Sequence, residues 1–330
     1  MEKGYQASLK SAETEDWLDL HVIRPFCYYC AVFFAKFNVH PNTITIWSMI
    51  IGAASAWFFA QGSFYYGDNI TSNHTLGLVY NIIAVVLLMW ADIFDCTDGQ
   101  LARLTGKKSR AGRILDGLAG FTWFFPIYLA IAWRFYLHHD LEFEFLGIDQ
   151  NEQNTLIASG IVLVLAVISG VWGLEKQQRL ADYYIQVHLF FLKGEKGSEL
   201  DNSARQQEIY NQMTKETPLY ERLFQKSYIT YTKKQEQVTP QFQRLMVRLR
   251  KKYGTDIPQE FREEFRRYSL PVIKWNGLLT FNFREFWLFL FCLLDVPAIL
   301  FVWEIAGMGL LYWYVNHRHE TFCRRLAEKL

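Results

Sequence analysis

The sequence predicts an all-α polytopic membrane protein with six transmembrane helices, an N-terminal interfacial amphipathic helix and a cytoplasmic helical insert. Hydrophobic residues make up 51% of the 330 residues, and aromatic residues make up 17%. The apolar residues come in blocks of about twenty, the length that a helix needs to cross the hydrocarbon core of a bilayer. Lys and Arg avoid some of the segments between these blocks and crowd into others, as in membrane proteins of fixed orientation.

Four apolar windows of spanning length lie at about 43–63, 76–98, 111–135 and 154–174. A further apolar region, 284–316, has 33 residues. As one helix it would be about 50 Å long, against about 30 Å of hydrocarbon. We therefore expect two short spans or a hairpin there, with the turn near residues 295–297 or near residues 304–309. The total is six spans.

The N-terminal segment 11–38 mixes aromatic with charged side chains. Such a mixture is typical of a helix that lies in the membrane interface. A seventh span at 20–38 is the alternative, and it would reverse the orientation that the loops predict.

The loops predict that both termini lie in the cytoplasm. Segments 64–75 and 136–153 contain neither Lys nor Arg, whereas 103–113 contains five such residues. Because Lys and Arg are enriched in cytoplasmic loops, segment 103–113 and the polar segment after 175 are expected inside. Six spans with both ends inside are consistent with this.

The expected organisation has four parts. An N-terminal interfacial or juxtamembrane segment covers 1–42, and transmembrane helices 1–4 occupy 43–175, with a polar motif at 95–120. A cytoplasmic helical insert follows at 176–280, and 281–330 holds helices 5–6 with a cytoplasmic tail. The insert has apolar residues at helical intervals and four prolines that divide it. Two roles stay open for it, a packing or regulatory cap and a direct contact with substrate.

Composition excludes some classes of site. The five cysteines do not suggest a disulfide framework. Cys27 and Cys30 form a single C-x-x-C pair, which we interpret as two apolar positions on one helix face rather than a zinc site. The net charge of +1 gives no support for a nucleic-acid partner, and none is predicted.

Three carboxylates lie where one membrane helix ends and the next begins. Asp95 and Asp98 are three residues apart, and Gly112 and Asp116 are four apart, so each pair shares a helix face. Carboxylates at membrane depth are costly and usually functional. Two such faces brought together would offer an oxygen cage to a hard divalent cation, Mg²⁺ or Mn²⁺, shared with substrate phosphates.

The stretch resembles the signature of the CDP-alcohol phosphotransferase family, D-x2-D-G-x2-A-R-x8-G-x3-D-x3-D. The matching residues are Asp95, Asp98, Gly99, Ala102, Arg103, Gly112 and Asp116. The segment from His40 to Thr45, His-Pro-Asn-Thr-Ile-Thr, resembles the P-N-x-x-T sequence with which the family enters its first spanning helix. The two motifs cover residues 40 to about 120.

The resemblance implies a reaction in which an acceptor hydroxyl attacks the β-phosphate of a CDP-linked alcohol and CMP leaves. Asp95, Asp98 and Asp116 would then be catalytic metal ligands. The resemblance assigns Gly99 and Ala102 to the bound nucleotide, because they lack bulk. Gly112 would do the same on the facing helix, or serve only helix packing, and the Arg103 guanidinium would bind phosphate. Many family members are homodimers, so a homodimer is expected.

Four further charged residues have an open role. Lys107, Arg110 and Arg113 either form a pocket for an anionic acceptor or serve only as positive charges on the inner side. Asp92, three residues before Asp95, either faces the same site or pairs with an inner Arg.

Position 120 departs from the signature, because it holds Gly120 where the family has the aspartate proposed as general base and metal ligand. A glycine can neither accept a proton nor bind a cation. Three hypotheses follow. Another base acts, with Asp92 the nearest candidate; the glycine makes room for a bulkier substrate; or the chain is a catalytically weak or inactive relative that binds CDP-lipid. A divergent, active enzyme is favoured, because every donor-side position is present.

The resulting prediction is an integral multi-pass membrane transferase of phospholipid or related lipid synthesis. Its active site would face the cytoplasm at a bacterial inner membrane or an equivalent membrane. The expected donor is a CDP-linked lipid, CDP-diacylglycerol, and the acceptor is a small or lipid hydroxyl compound. The rivals are the non-catalytic relative and a transporter with ion-carrying carboxylates. Clustering of the carboxylates at one helix end disfavours the transporter.

Overall fold

The computed structural model describes residues 5, 11, 13–14, 19–64, 74–107, 110–214 and 216–330. Within these residues every regular element is helical. The chain divides into two compact units. The first comprises Met1–Glu175 and Phe281–Gly307, and the second comprises Lys176–Thr280 and Met308–Leu330.

Fourteen α-helices are present in the described residues. In chain order they are α1 (Arg24–Lys36), α2 (Pro41–Ala60), α3 (His74–Thr105), α4 (Arg110–Leu137), α5 (Asp140–Leu146), α6 (Glu152–Ile168), α7 (Gln178–Lys193), α8 (Ser203–Asn211), α9 (Leu219–Val238), α10 (Pro240–Tyr253), α11 (Gln259–Asn276), α12 (Phe281–Leu293), α13 (Ile299–Val302) and α14 (Met308–Glu328). Wider π-helical turns occupy Asp19–Ile23, Ser169–Gln177 and Trp303–Gly307, and short 3₁₀ turns occupy Glu195–Gly197 and Gly277–Leu279.

Five helical stretches of the described chain are long and apolar enough to cross a membrane. They are Pro41–Ala60, Thr75–Thr105, Leu115–Leu137, Glu152–Lys193 and Ile299–Glu328. The first four coincide with the four apolar windows of the sequence. The long apolar region that follows is interrupted between α12 and α13, at the first of the two expected places. Because α12 has 13 residues, it is only about 20 Å long, and it is not among the five.

The helix pair α2 and α4 packs closely because of Gly52. A Cβ atom at Gly52 would overlap the indole ring of Trp123. Trp123 is 1% exposed and belongs to the main apolar core of the first unit. The absent side chain of Gly52 therefore lets α2 approach α4, the helix that carries the second half of the signature.

A buried ion pair lies far from the signature, near the first residues of α3 and the last residues of α4. Arg134 of α4 donates a hydrogen bond to the carboxylate of Asp295, and its Nη1 lies 2.9 Å from Asn81 Oδ1. The Asn81 amide donates to the Gly62 and Cys292 carbonyls. Because each charge has a partner, the pair can be buried among apolar helices, and it ties the turn after α12 to α3 and α4.

A second buried pair lies nearer the middle of the first unit. Arg284 Nη1 of α12 is 2.9 Å from Glu304 Oε1, and neither side chain is exposed. The Tyr128 hydroxyl donates to Glu304 Oε2 at 2.5 Å, and the Ser169 hydroxyl donates to the same oxygen. Arg284 also donates to the Gly173 carbonyl at 3.2 Å. The network therefore joins α4, α12 and two of the π-helical turns.

The second unit is built from α7 to α11 and α14 around an aromatic core. Prolines stand at or just before the first residues of α9, α10 and α11, where a missing backbone N–H costs nothing. The rings of Phe191 and Phe265 stack with centroids 3.7 Å apart, and those of Tyr184 and His319 stack at 3.8 Å. The apolar face of α10, including Phe242 and Leu249, is buried against this core.

The Arg284–Glu304 pair yields a stability prediction. Replacing Arg284 with Met should destabilise the protein by about 3–5 kcal/mol, because the Glu304 carboxylate is left buried without its countercharge. The double variant Arg284→Met/Glu304→Gln should recover most of that loss, since a neutral amide still accepts from Tyr128 and Ser169. Thermal unfolding in detergent measures both. Equal destabilisation by the single and double variants would show that the charge pair is not the cause.

Candidate active site

The first spanning helix begins with the His-Pro-Asn-Thr-Ile-Thr segment and brings a threonine to the signature. His40 caps α2 by accepting a hydrogen bond from the Asn42 amide at 3.2 Å, and Pro41 takes the first helical position. One turn later the buried hydroxyl of Thr45 donates to the carboxylate of Asp98. This bond joins α2 to α3 and orients Asp98. The motif was noted in the sequence, but its contact with Asp98 was not predicted.

Asp95 and Asp98 lie on one face near the end of α3. Asp98 is 4% exposed, whereas Asp95 is half-buried. The Oδ1 atom of Asp95 is fully buried and has no hydrogen-bond partner among the described residues. A buried carboxylate oxygen without a donor is costly, so this atom is the strongest local indication that a ligand belongs here.

Asp116 comes to the same place from α4. Its side chain is exposed, and its charge acts on Asp95, as do the charges of Asp98 and Asp92. The repulsion among these carboxylates needs a countercharge. A hard divalent cation fits the donor set, because all the donors are oxygens. Among the described residues, the group of potential metal ligands whose ligand atoms all lie within 4.8 Å of one another does not include Asp95, Asp98 and Asp116. The aspartates are neighbours here rather than a closed cage.

The small residues of the signature lie beside its arginine. A Cβ atom at Gly99 would come within 3.4 Å of Nη1 of Arg103, one turn further along α3. The guanidinium is therefore folded back along the helix face that carries Gly99. Ala102 and Gly112 are half-buried. Arg103 is thus placed to bind an anion that approaches this face of α3.

The basic residues between α3 and α4 are described only in part. The Lys107 ammonium donates to Asn38 Oδ1 at 2.6 Å. Asn38 has a left-handed backbone with φ 57°, which asparagine tolerates better than most residues. Lys107 is therefore engaged at the turn before α2. The side chains of Arg110 and Arg113, and residues 108–109, lie outside the described part of the chain.

Position 120, where the family signature has its last aspartate, is filled by another part of the chain. Gly120 is buried, and a Cβ atom there would overlap the ring of Phe281, the first residue of α12. That ring stacks on Phe124, with centroids 5.6 Å apart and planes 24° apart. The space in front of Gly120 is therefore occupied by the chain itself. This observation disfavours the hypothesis that the glycine leaves room for a bulkier substrate.

A further carboxylate lies near Asp92, on α12. Glu285 is 5% exposed, its Oε1 has no hydrogen-bond partner among the described residues, and the charges of Asp92 and Asp19 act on it. Asp92 is also influenced by Arg24. Glu285 and Phe281 were not identified from the sequence, because they follow the signature by more than 150 residues and belong to no motif.

Residues 38–173 match the sequence profile of the family described as CDP-alcohol phosphatidyltransferase. The match covers α2, α3, α4 and α6, and it ends before the second unit and before α12. No curated protein and no solved structure matches the chain. Over residues 38–173 the chain is therefore similar to the CDP-alcohol phosphatidyltransferase family, whose members are phosphotransferases for substituted phosphate groups.

Proposed function

We propose that this protein transfers the phosphoryl-linked group of CDP-diacylglycerol to a hydroxyl acceptor and releases CMP, at the cytoplasmic face of a membrane. The observation that carries the proposal is the buried Oδ1 of Asp95, which has no hydrogen-bond partner among the described residues and lies beside Asp98 and Asp116, within the residues that match the family. The donor follows from the apolar helices around the site, since a lipid-linked nucleotide has one part for the membrane and one part for this polar end.

The site residues divide the work between donor binding and charge neutralisation. A divalent cation bound by Asp95, Asp98 and Asp116 would neutralise pyrophosphate oxygens and stabilise the leaving CMP. Thr45 holds Asp98 in a fixed orientation. The Asp98 side chain therefore loses less conformational entropy when the donor binds. Arg103 offers its planar set of N–H donors to a phosphate. The helix faces leave room for a nucleotide, because the side chains there are small or absent at Gly99, Ala102 and Gly112.

The proton of the acceptor hydroxyl must go to a group other than residue 120. Asp92 is the base that we propose, because it lies three residues before Asp95 and its charge acts on Asp95. The filled space before Gly120 also favours a second candidate function, a catalytically weak or inactive relative that binds CDP-lipid. The two differ in turnover, because a general base typically contributes ~10²–10⁴-fold.

We place the signature on the cytoplasmic side of a six-span topology, in which α12 is the additional crossing and the fifth in chain order. Phe281 at its start meets Gly120, and the Cys292 carbonyl near its end accepts from Asn81 at the opposite end of α3. The helix therefore runs alongside much of α4 and in the same direction. Segments 64–75 and 136–153, without Lys or Arg, are then outside. A homodimer is the assembly that we propose from the family resemblance.

Turnover tests the proposed activity. Purified protein with Mg²⁺, labelled CDP-diacylglycerol and a panel of hydroxyl acceptors should release CMP, and EDTA should stop the release. Asp98→Asn should lower the rate by at least about a hundredfold, because a lost ligand weakens charge stabilisation worth several kcal/mol. Asp149→Asn, the same change at an exposed loop residue, should leave the rate unchanged. CDP-diacylglycerol binding without CMP release for any acceptor would favour the non-catalytic alternative.

The packing of Gly120 yields a matched pair of variants. Gly120→Ala should destabilise the protein by about 1–3 kcal/mol through overpacking against Phe281. Gly117→Ala, on the same helix with open space around it, should not. Adding Phe281→Leu to Gly120→Ala should recover part of the loss. Gly120→Asp should likewise lower CMP release. A tenfold gain with every acceptor, about 1.4 kcal/mol of barrier, would contradict this account and indicate a restored catalytic group.

Labelling with a membrane-impermeant maleimide tests the topology. In intact cells a cysteine at position 150 should react and a cysteine at position 109 should not, with the wild-type chain as the background control. Both should react after the membrane is permeabilised. The reverse pattern in intact cells would place the signature outside and contradict the six-span arrangement.

A further inference from the structure

Three potential metal ligands meet in the second unit. His319, Glu320 and Cys323 of α14 offer ligand atoms that all lie within 4.8 Å of one another. His319 is 2% exposed and Cys323 is 0% exposed. The Glu320 side chain is 14% exposed. The nitrogen ligand, His319, and the sulfur ligand, Cys323, are four residues apart, so they project from one face of the helix.

The hydrogen bonding of His319 is incomplete for a buried side chain. Its Nε2 is buried and has no hydrogen-bond partner within the described chain. Its Nδ1 lies 3.6 Å from Glu320 Oε1 and 3.7 Å from Cys323 Sγ. The first separation is longer than the 2.7–3.2 Å of ordinary N–H···O bonds, and one ring nitrogen cannot satisfy both neighbours at once. A cation bound to Nδ1 would replace these two poor contacts of Nδ1, whereas Nε2 would stay without a partner within the described chain.

The separations fit the edges of a coordination tetrahedron. Zinc bonds to nitrogen and oxygen at about 2.0–2.2 Å and to thiolate sulfur at about 2.3 Å, so neighbouring ligand atoms stand roughly 3.3–3.6 Å apart. The two distances from His319 Nδ1, 3.6 and 3.7 Å, need only a small contraction, and the ligand atoms of Glu320 and Cys323 lie within 4.8 Å of each other. A nitrogen, a sulfur and an oxygen together favour zinc over magnesium or calcium, which prefer oxygen ligands.

The surroundings hold two of the ligands in place. The Tyr184 ring stacks on the His319 ring, 3.8 Å away and 18° from parallel. Glu320 accepts from the Gln241 amide at 2.6 Å and from the Phe242 amide at 3.4 Å, at the start of α10. Such contacts orient a carboxylate and a histidine before a metal arrives. A bound cation would therefore also fasten α14 to α10.

We infer that His319 Nδ1, Glu320 Oε1 and Cys323 Sγ form a binding site for Zn²⁺ or a similar borderline divalent cation. Binding displaces the thiol proton of Cys323 to solvent, since the thiolate is the metal ligand. Three protein ligands leave the fourth tetrahedral position to a water molecule. The site is independent of the proposed transferase activity.

Cobalt substitution tests the inference on the full-length protein, freed of any affinity tag and stripped with a chelator. Co²⁺ should bind with a thiolate-to-cobalt charge-transfer band and the visible bands of tetrahedral cobalt. Cys323→Ser and His319→Ala should each reduce the charge-transfer band at least tenfold. Cys27→Ser, at another fully buried cysteine, and Cys96→Ser, beside the signature, should retain it. Asp98→Asn should retain it as well, which separates this site from the signature.

X-ray absorption on the zinc-loaded wild type tests the same inference without any variant, so its result does not depend on whether a variant folds. One sulfur scatterer at about 2.3 Å with nitrogen or oxygen neighbours is expected. Absence of the charge-transfer band in the wild type, its survival in Cys323→Ser, or a zinc shell without sulfur would overturn the inference.

Discussion

A charge buried among apolar helices needs an opposite charge beside it, and this constraint shapes the first unit. Arg134 is held by Asp295, and Arg284 by Glu304. Each pair has further hydrogen bonds, which reduce the desolvation cost that such pairs carry. Asp95 in the signature and Glu285 on α12 are exceptions, because each has a buried oxygen without a hydrogen-bond partner among the described residues. The same physical rule thus explains the two structural pairs and indicates where a cation belongs.

The departure at Gly120 gains a physical explanation from α12. A missing aspartate could have left a void, but Phe281 fills it and stacks on Phe124. Interiors pack densely, so a position that has lost a side chain is stable only when a neighbour takes the space. The same helix carries Glu285, on which the charge of Asp92 acts. A helix beyond the family match therefore contributes to the surroundings of the proposed site.

The parts of the fold that follow from local pattern could be predicted from the sequence. Four spans were predicted because apolar blocks of spanning length depend only on neighbouring residues. The break after α12 lies at one of the two places expected from the sequence. The choice between them depends on contacts of Asp295 with Arg134 and Ser63, which are distant in sequence. The Thr45–Asp98 bond and the Phe281 contact likewise depend on tertiary packing. The joint role of Asp95, Asp98 and Asp116, which the signature spacing suggests, stays a prediction. The spacing did not predict that Asp95 has a buried oxygen without a hydrogen-bond partner among the described residues.

The central claim is that a divalent cation binds beside Asp95 together with the nucleotide of the donor. Anomalous scattering from crystals grown with Mn²⁺ and CDP tests it most directly. The account predicts a manganese peak in contact with the carboxylates of Asp95, Asp98 and Asp116, with the CDP pyrophosphate as a further ligand. Crystals that contain ordered CDP but no manganese peak among these three carboxylates would contradict it.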